Sequence, residues 1–380
     1  MVNTLGVYNP IFYANEALIH LEKALGMANR VHRGFENERN SFRKGETISI
    51  RRPSTFTAQD APSTAQDLDT ETVSLTLDKW KEVKFKLSDK ELAFTGDRII
   101  NDHIRPAAYA LADDIDQKLN ALSADIPWFY DIAATGVVAD LTGTRRVMFD
   151  NKVPLGGPDI HLEVNGAFEE DLLNLSAFTQ HQGAGLEGVT AQMRGHLGRK
   201  FGMEIFANQN VTTRTAGALT GTAITNGALA FGDTSVTLDA GTLTGTMLKG
   251  DSFTFAGDTQ RYAVTADATA AGNSITFSIT PPIQTAVSDG TATTEEQTTS
   301  TGDNIAFHRN AFALVLAPLP DHGNELGARV ATISDPTTGL AIRSRIWYEG
   351  DASEVRVALD VLYGVKTLDP NLACLARQTN

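Results

Sequence analysis

The chain has 380 residues and a formal net charge of -14, with 42% apolar and 21% charged residues, a balance that describes a folded protein and not a disordered one. At roughly 100–200 residues per domain the length suggests two or three domains. An acidic surface repels phosphate and disfavours a general nucleic-acid binder, and the single cysteine, Cys374, excludes an internal disulfide and a thiolate metal cage. The N-terminus lacks the basic start and apolar core of a signal peptide, and no apolar run approaches the roughly 18 residues of a membrane span, so cytoplasmic synthesis and no membrane contact are expected.

Charge is uneven. Residues 1–52 hold eight Lys/Arg against five Glu, leaving -17 for the other 328 residues. This is a basic arm on an acidic body, to be read either as a solvated tail or as an arm that lies on an acidic neighbour. Within it Ala17, Leu18, Leu21, Leu25 and Ala28 recur every three to four residues and predict an amphipathic helix that needs something to pack on.

Thr47–Arg51 reads as a strand. So does Thr72–Leu87, where Val73, Leu75 and Leu77, then Val83, Phe85 and Leu87, alternate with polar residues. The polar stretch between them makes a long hairpin with a tip of about 20 residues, a length that is often functional. Such a hairpin cannot bury both faces alone, so a partner surface is expected. Asp97–Ile126 predicts a long helix from Ile100, Ile104, Ala107, Leu111, Ile115, Leu119 and Leu122, with Thr95 or Asp97 as cap and a kink or a start near Pro106.

Residues 159–164 alternate as a strand, Asn165 suits the cap of helix AFEEDLLNLSAF, and Glu169 and Glu170 suit its first turn. A further helix over Val189–Leu197 and a strand carrying Phe201, Met203 and Ile205 complete an αβ block. Residues 211–300 differ: 23 of 90 are Thr and only 11 are charged, and short β-type runs alternate with Gly, Asp and Asn turns. They read as an inserted barrel or sandwich. Two long strands follow, one with Leu340, Ile342, Ser344, Ile346 and Tyr348 on a face and Arg343, Arg345 and Trp347 opposite, the other with Val355, Val357, Leu359, Val361 and Tyr363.

Enzyme chemistry finds little support. GAGLEG at Gly183–Gly188 matches a dinucleotide-type glycine pattern but follows a helix where that chemistry needs a strand. His103, His161, His181 and His196 lack a second ligand at zinc spacing, and Asp113, Asp114 and Asp116 are too closely spaced for an oxygen cage. Asp321, His322 and Glu325 lie in a Pro- and Gly-bounded loop without a nucleophile motif. No catalytic residue, cofactor or metal is expected.

Gly45–Asp60 (GETISIRRPSTFTAQD) followed by Leu75–Leu92 (LTLDKWKEVKFKLSDKEL) resembles the extended loop of major capsid proteins of tailed bacteriophages, most of all the coat proteins of short-tailed phages that carry an inserted domain. Asp97–Ile126 is similar to that family's spine helix. HLEVNGAFEEDLL and GLEGVTAQMRGHLGRKFGMEIFANQNV resemble its axial domain, MLKGDSFTFAGDTQRYAV an inserted β domain, and LDVLYGVKTLDPNLA its closing strand. The resemblance implies an α+β fold of the tailed-phage and herpesvirus capsid type. Its parts would be an N-terminal arm over 1–44, an extended loop over 45–93, the spine helix of a peripheral domain over 94–126, an axial domain over 127–212, an inserted all-β domain over 213–303 and return strands over 304–380. It implies a virion shell of pentamers and hexamers around double-stranded DNA, assembled in the host cytoplasm with a scaffolding protein and a portal, and open to a decoration protein. The interface candidates are Leu18, Leu21 and Leu25 on the arm and Arg51, Arg52, Lys79, Trp80, Lys81 and Lys84 on the hairpin. Some relatives crosslink a loop lysine to a distant asparagine. No such pair is identified here, so non-covalent assembly is expected. The competing expectations are a cell-surface or tail-associated β-rich structural protein and, more distantly, a hydrolase using Asp321–Glu325.

Overall fold

A computed structural model describes residues 10–34, 45–51, 60–61, 72–88, 103–132, 136–179, 192–195, 197–320, 328–334, 340–351 and 354–379. In chain order the elements are α1 (Pro10–Ala24), β1 (Thr47–Arg51), β2 (Thr72–Thr76), β3 (Lys79–Ser88), α2 (Arg105–Asn120), β4 (Phe129–Ile132), α3 (Val138–Asp150), β5 (Ile160–Val164), α4 (Gly166–Asn174), α5 (Ser176–Thr179), β6 (Arg199–Lys200), β7 (Met203–Ala207), β8 (Ile224–Thr225), β9 (Ser235–Asp239), β10 (Thr246–Met247), β11 (Ser252–Phe255), β12 (Arg261–Val264), β13 (Ala268–Thr269), β14 (Ser274–Thr280), β15 (Thr293–Glu296), β16 (Gly302–His308), β17 (Phe312–Ala317), β18 (Arg329–Ser334), β19 (Ala341–Glu349), β20 (Glu354–Thr367) and β21 (Ala373–Gln378). The fold is α+β. The chain divides into two compact units, one of residues 1–25, 32–115 and 313–368, the other of 26–31, 116–312 and 369–380.

The first unit is built on β20. Among the described residues its 14-residue span pairs with β3, β19 and β17, and β19 pairs with β18. On one face Val357, Leu359, Val361 and Tyr363 are buried, and α2 bears on it: the Tyr363 hydroxyl donates to Asp114 Oδ2 at 2.5 Å and Lys81 Nζ sits 3.2 Å from Asp114 Oδ1. α1 packs against β18 and β19, and its Tyr13, Ala14, Ala17 and Leu21 are buried. The amphipathic arm helix therefore has a partner in its own chain, about 310 residues downstream, contrary to the expectation of an external one. Pro106 is the second residue of α2, directly after a π-type turn at His103 and Ile104, so its missing N–H falls where the regular α-helical ladder begins. Thr95, Asp97 and Ile100 lie outside the described residues.

The opposite face of the same sheet carries charge. Register sets Glu82, Asp360 and Arg343 side by side across β3, β20 and β19. Asp360 is fully buried and Arg343 is 9% exposed. Arg343 grips Asp360 with two bonds, Nε to Oδ1 at 3.1 Å and Nη2 to Oδ2 at 2.5 Å, and donates Nη1 to the Pro320 carbonyl at 2.9 Å. Trp80 Nε1 donates to Asp360 Oδ2 at 2.9 Å, and Arg345 lies 3.4 Å from the same oxygen and 3.0 Å from Glu82.

The run Thr72–Leu87 is two strands, not one. The chain breaks after Thr76 and changes partner, β2 pairing with β1 and β3 with β20. Nor does the β1–β2 pair lack a surface of its own. Ile48, Ile50 and Leu75 pack on Ala313, Val315, Ala317 and Leu362 of the same unit. Gly364 allows this approach, because a Cβ there would stand 2.5 Å from the Thr76 carbonyl oxygen.

In the second unit the strand order is β4-β21-β16-β5-β7-β6, with β4–β21 and β5–β7 parallel. Asn165 caps α4 by accepting from Phe168 N at 2.8 Å, and Phe168 and Leu172 enter a core with Leu141 and Met148 of α3. Phe201 is not in the strand with Met203 and Ile205. It sits with Gly202 at positive φ (51° and 79°) in the β6–β7 turn. Of the helix expected over Val189–Leu197 only residues 192–194 are described as helical.

Residues 211–300 form β8–β15 around their own core, with Phe253, Phe255, Tyr262 and Phe277 at its centre. The sheet order is β15-β11-β12-β14-β9-β8. Its edges meet: Thr293 N donates to Ala223 O at 3.0 Å and Thr225 N to Thr291 O at 2.9 Å, which closes the sheet into a barrel. The Asp residues of this module hold turns, as when Asp233 accepts from Ala230 N and Asp289 from Gly227 N. The barrel is anchored through Phe129, which carries Arg377 3.1 Å and Arg261 4.4 Å from its ring centroid.

Asp360→Ala strands the Arg343 guanidinium in a buried site, so we expect a loss of roughly 3–5 kcal/mol in denaturant unfolding of the unassembled chain. Arg343→Met with Asp360→Leu removes both charges and is expected to cost much less. Trp80 fluorescence reports the change locally, since its indole N–H bonds Asp360.

Candidate assembly surfaces

The arm candidates divide. Leu21 and Leu25 are buried (0% and 5%) and Leu18 is half-buried, so this stripe is occupied within the chain. The exposed apolar surface of α1 is a second arc that the sequence reading missed. Ile11, Phe12 and Ile19 are about half exposed, as is Tyr109 of α2 beside His20. Both arcs follow helical spacing, and the sequence does not say which one meets the chain's own sheet.

Arg51 ends β1 and is exposed, while Arg52 lies outside the described residues. Lys79, Trp80, Lys81 and Lys84 are not on the hairpin. They lie on β3 with partners in their own unit, Lys79 with Asp78, Lys81 with Asp114 and Lys84 with Glu82. The period-2 pattern continues in phase across Leu77 and Asp78, which is why one strand was expected. Trp80, Lys81 and Lys84 still show nearly half of their side-chain surface.

A polar cluster lies inside the second unit. Glu163, on β5, is fully buried, and its Oε1 accepts from Asn120 at 3.2 Å and from Asn208. Its Oε2 has no hydrogen-bond partner among the described residues. Burial pushes the Glu163 carboxyl up to about 7, helped by the nearby Asp116 and opposed by the two amides and Arg30. Asp116 fixes the segment Gly26–Val31 by accepting from Gly26 N at 2.6 Å and Ala28 N at 3.1 Å. Arg30 lies 3.9 Å over the Phe206 ring and donates to Glu204 at 3.2 Å, and His161 Nδ1 stands 3.0 Å from the same carboxylate. Burial lowers His161, partly offset by Glu204.

Among the described residues no group of His, Cys, Asp and Glu could hold a metal, and no helix is long and apolar enough to cross a membrane. Cys374 is buried and its thiol is pushed well above the usual range by burial. Gly183–Gly188, His181, His196 and Asp321–Glu325 lie outside the described residues.

No family model and no curated protein matches the sequence. Among solved structures the chain is similar to one from Mycobacterium phage Che8, at 16% identity over 92% of this chain and 90% of that one, with a TM-score of 0.49. It is similar to the capsid structure of the cyanophage P-SCSP1u at 10% identity over 92% and 86%, TM-score 0.46. It is also similar to the asymmetric unit of the mature capsid of bacteriophage PhiM1 at 10% identity over 89% and 83%, TM-score 0.40.

Glu163 makes stability depend on pH. Its folded carboxyl binds a proton more readily than the unfolded one, so its contribution is best at low pH and is lost as pH rises toward 7. Glu163→Gln keeps the shape without the charge. We expect it to stabilise the chain by about 2–3 kcal/mol at pH 8 and hardly at all near pH 4. Unfolding titrations at both pH values measure this, and an equal effect at both would place the ionised form comfortably in the fold.

Proposed function

We propose that this chain is a coat protein whose copies self-assemble without covalent links into the closed icosahedral shell of a tailed phage, around double-stranded DNA. Its role is structural. The observation that carries the reading is the order of elements along the chain: an arm helix, a strand pair with a 20-residue connection, a long helix on a sheet, a mixed-sheet unit interrupted by a closed barrel, and strands that return to both units. That order supports the reading. The division into arm, extended loop, spine helix, axial domain, insert and return strands belongs to the same proposal, with Lys79–Ser88 moved from the loop to the sheet.

The exposed surfaces favour association. Ile11, Phe12, Ile19 and Tyr109 are large apolar side chains turned outward on one unit, an unfavourable display for an isolated molecule. Arg51 and Arg52 of the hairpin, with the outward parts of Trp80, Lys81 and Lys84, contact acidic surfaces of neighbouring copies in this reading. A net charge of -14 keeps packaged DNA from adhering to the wall. A scaffolding protein, a portal and a decoration protein on the barrel are further partners in this reading, which places the mature protein in the virion.

Purified protein is expected to elute in the void volume of a sizing column and to show closed particles by negative-stain microscopy. A small, uniform oligomer across concentrations and in the presence of crowding agent would count against a shell. Ile11→Ser with Ile19→Ser is expected to lower shell yield while leaving the melting of unassembled protein nearly unchanged, since both side chains are about half exposed.

A further inference from the structure

An open groove of about 500 Å³ lies at the C-terminal end of α3, lined by Thr142, Arg145, Arg146, Phe149, Leu155 and Gly156. Phe149 is 69% exposed at its edge. The β6–β7 turn is tied to this region: Arg145 Nη1 donates to the Phe201 carbonyl at 2.7 Å, and Arg199 Nη2 donates to Gly157 O at 2.5 Å. Residues 142–157 and 199–203 together carry Arg145, Arg146, Lys152, Arg199 and Lys200 against the single carboxylate Asp150. With Asp159 beside Gly157 and Glu204 opposite Arg199 the patch is still net positive, at +2, in a chain of -14.

The same unit presents the opposite charge elsewhere. α4 carries Glu169, Glu170 and Asp171 in nine residues with no cation. Asp171 Oδ2 accepts from Gly136 N at 3.0 Å, just before α3 begins. The acidic helix therefore adjoins the N-terminal end of α3 and the basic groove its C-terminal end. The 13 residues of α3 hold these ends about 20 Å apart. One molecule cannot bring its own two surfaces together, whereas a second copy can.

We infer that the groove receives the acidic helix α4 of a second copy of this chain, a head-to-tail contact that repeats from copy to copy. This rests on the shell reading and names the surfaces that would serve it. Two unlike patches on one chain generate rings when the rotation closes. The apolar groove, with Phe149 and Leu155, gives a burial site that a phosphate backbone would not use, and Arg145 and Arg146 in its lining supply register and orientation. Arg146 suits a contact role, since its side chain is 82% exposed and its intrachain partner Asp150 stands 3.7 Å away.

Charge swapping tests the contact. Arg146→Glu with Lys152→Glu, and separately Glu169→Lys with Glu170→Lys, are each expected to cut the shell fraction on a sizing column by roughly tenfold near 0.1 M salt, where the Debye length is about 10 Å. The melting temperature of unassembled protein should stay unchanged. Combining all four substitutions restores the opposite charges and is expected to recover shells. A combined variant that assembles no better than either pair would overturn the inference, as would reversed pairs that assemble normally. Normal shells that lose only co-purified nucleic acid would assign the groove to phosphate, again overturning it. If the unmodified chain forms no particles at all, the shell reading itself fails, an outcome distinct from unmodified shells with indifferent charge reversals.

Discussion

A carboxylate buried in the middle of a sheet has to be matched where it stands. Asp360 has no exposed surface, and its two oxygens are taken by the Arg343 fork, the Trp80 indole and the edge of Arg345. These partners come from β3 and β19, which are about 260 residues apart in the chain. Slipping β20 by one residue would turn Asp360 toward the face where Val357, Leu359 and Val361 are buried, away from the Arg343 fork and the Trp80 indole. The ion pair thus sets the register of the first unit, and register sets which surface α1 and α2 find. Exposed pairs such as Lys84 with Glu82 have no such authority, because water competes for both partners.

The second unit handles buried polarity differently. Glu163 meets two neutral amides instead of a guanidinium, and one of its oxygens is left over. Its neighbourhood holds Gly26–Val31 through backbone N–H groups on Asp116 and through Arg30 on Glu204 and Phe206. One unit is therefore locked by charge, while the other fastens an arm segment beside a buried carboxyl that the fold holds better protonated than ionised. The barrel follows a third scheme: its cations gather at the base, Arg261 on Phe129, Lys249 near Asp125 and Arg214 on the Gly250 and Thr298 carbonyls, and its carboxylates cap turns.

Local signals in the sequence were readable wherever a residue acts on its immediate neighbours. Asn165 caps its helix, Pro106 stands in the first turn of α2, and the alternation of Ile275, Phe277 and Ile279 marks a barrel strand. What the pattern could not carry was the identity of distant partners. Val73, Leu75 and Leu77 run in phase with Val83 and Phe85, so nothing in the period marks the change of partner after Thr76. The stripe at Leu21 and Leu25 was legible as apolar, but its cover, β18 and β19, arrives from the far end of the chain. His161 and Glu163 occupy the polar positions of an alternating strand, and period-2 reading sends them to solvent. Every residue of β5 is in fact buried, because the polar face is closed by Asn120 and Asn208.

The barrel enters and leaves at almost the same point. Arg214 and Ser300 exchange both backbone hydrogen bonds, at 3.1 and 2.9 Å, and Asp303 N donates to Thr212 O at 2.9 Å. To the host sheet, the whole module is a connection whose ends are already closed, so its length adds little to the entropy of folding the rest. The strand junction works as a socket. Modules of other size or sequence whose termini lie equally close fit the same opening without disturbing β16 or β7, and the outer decoration of the molecule can change while its sheet stays as it is.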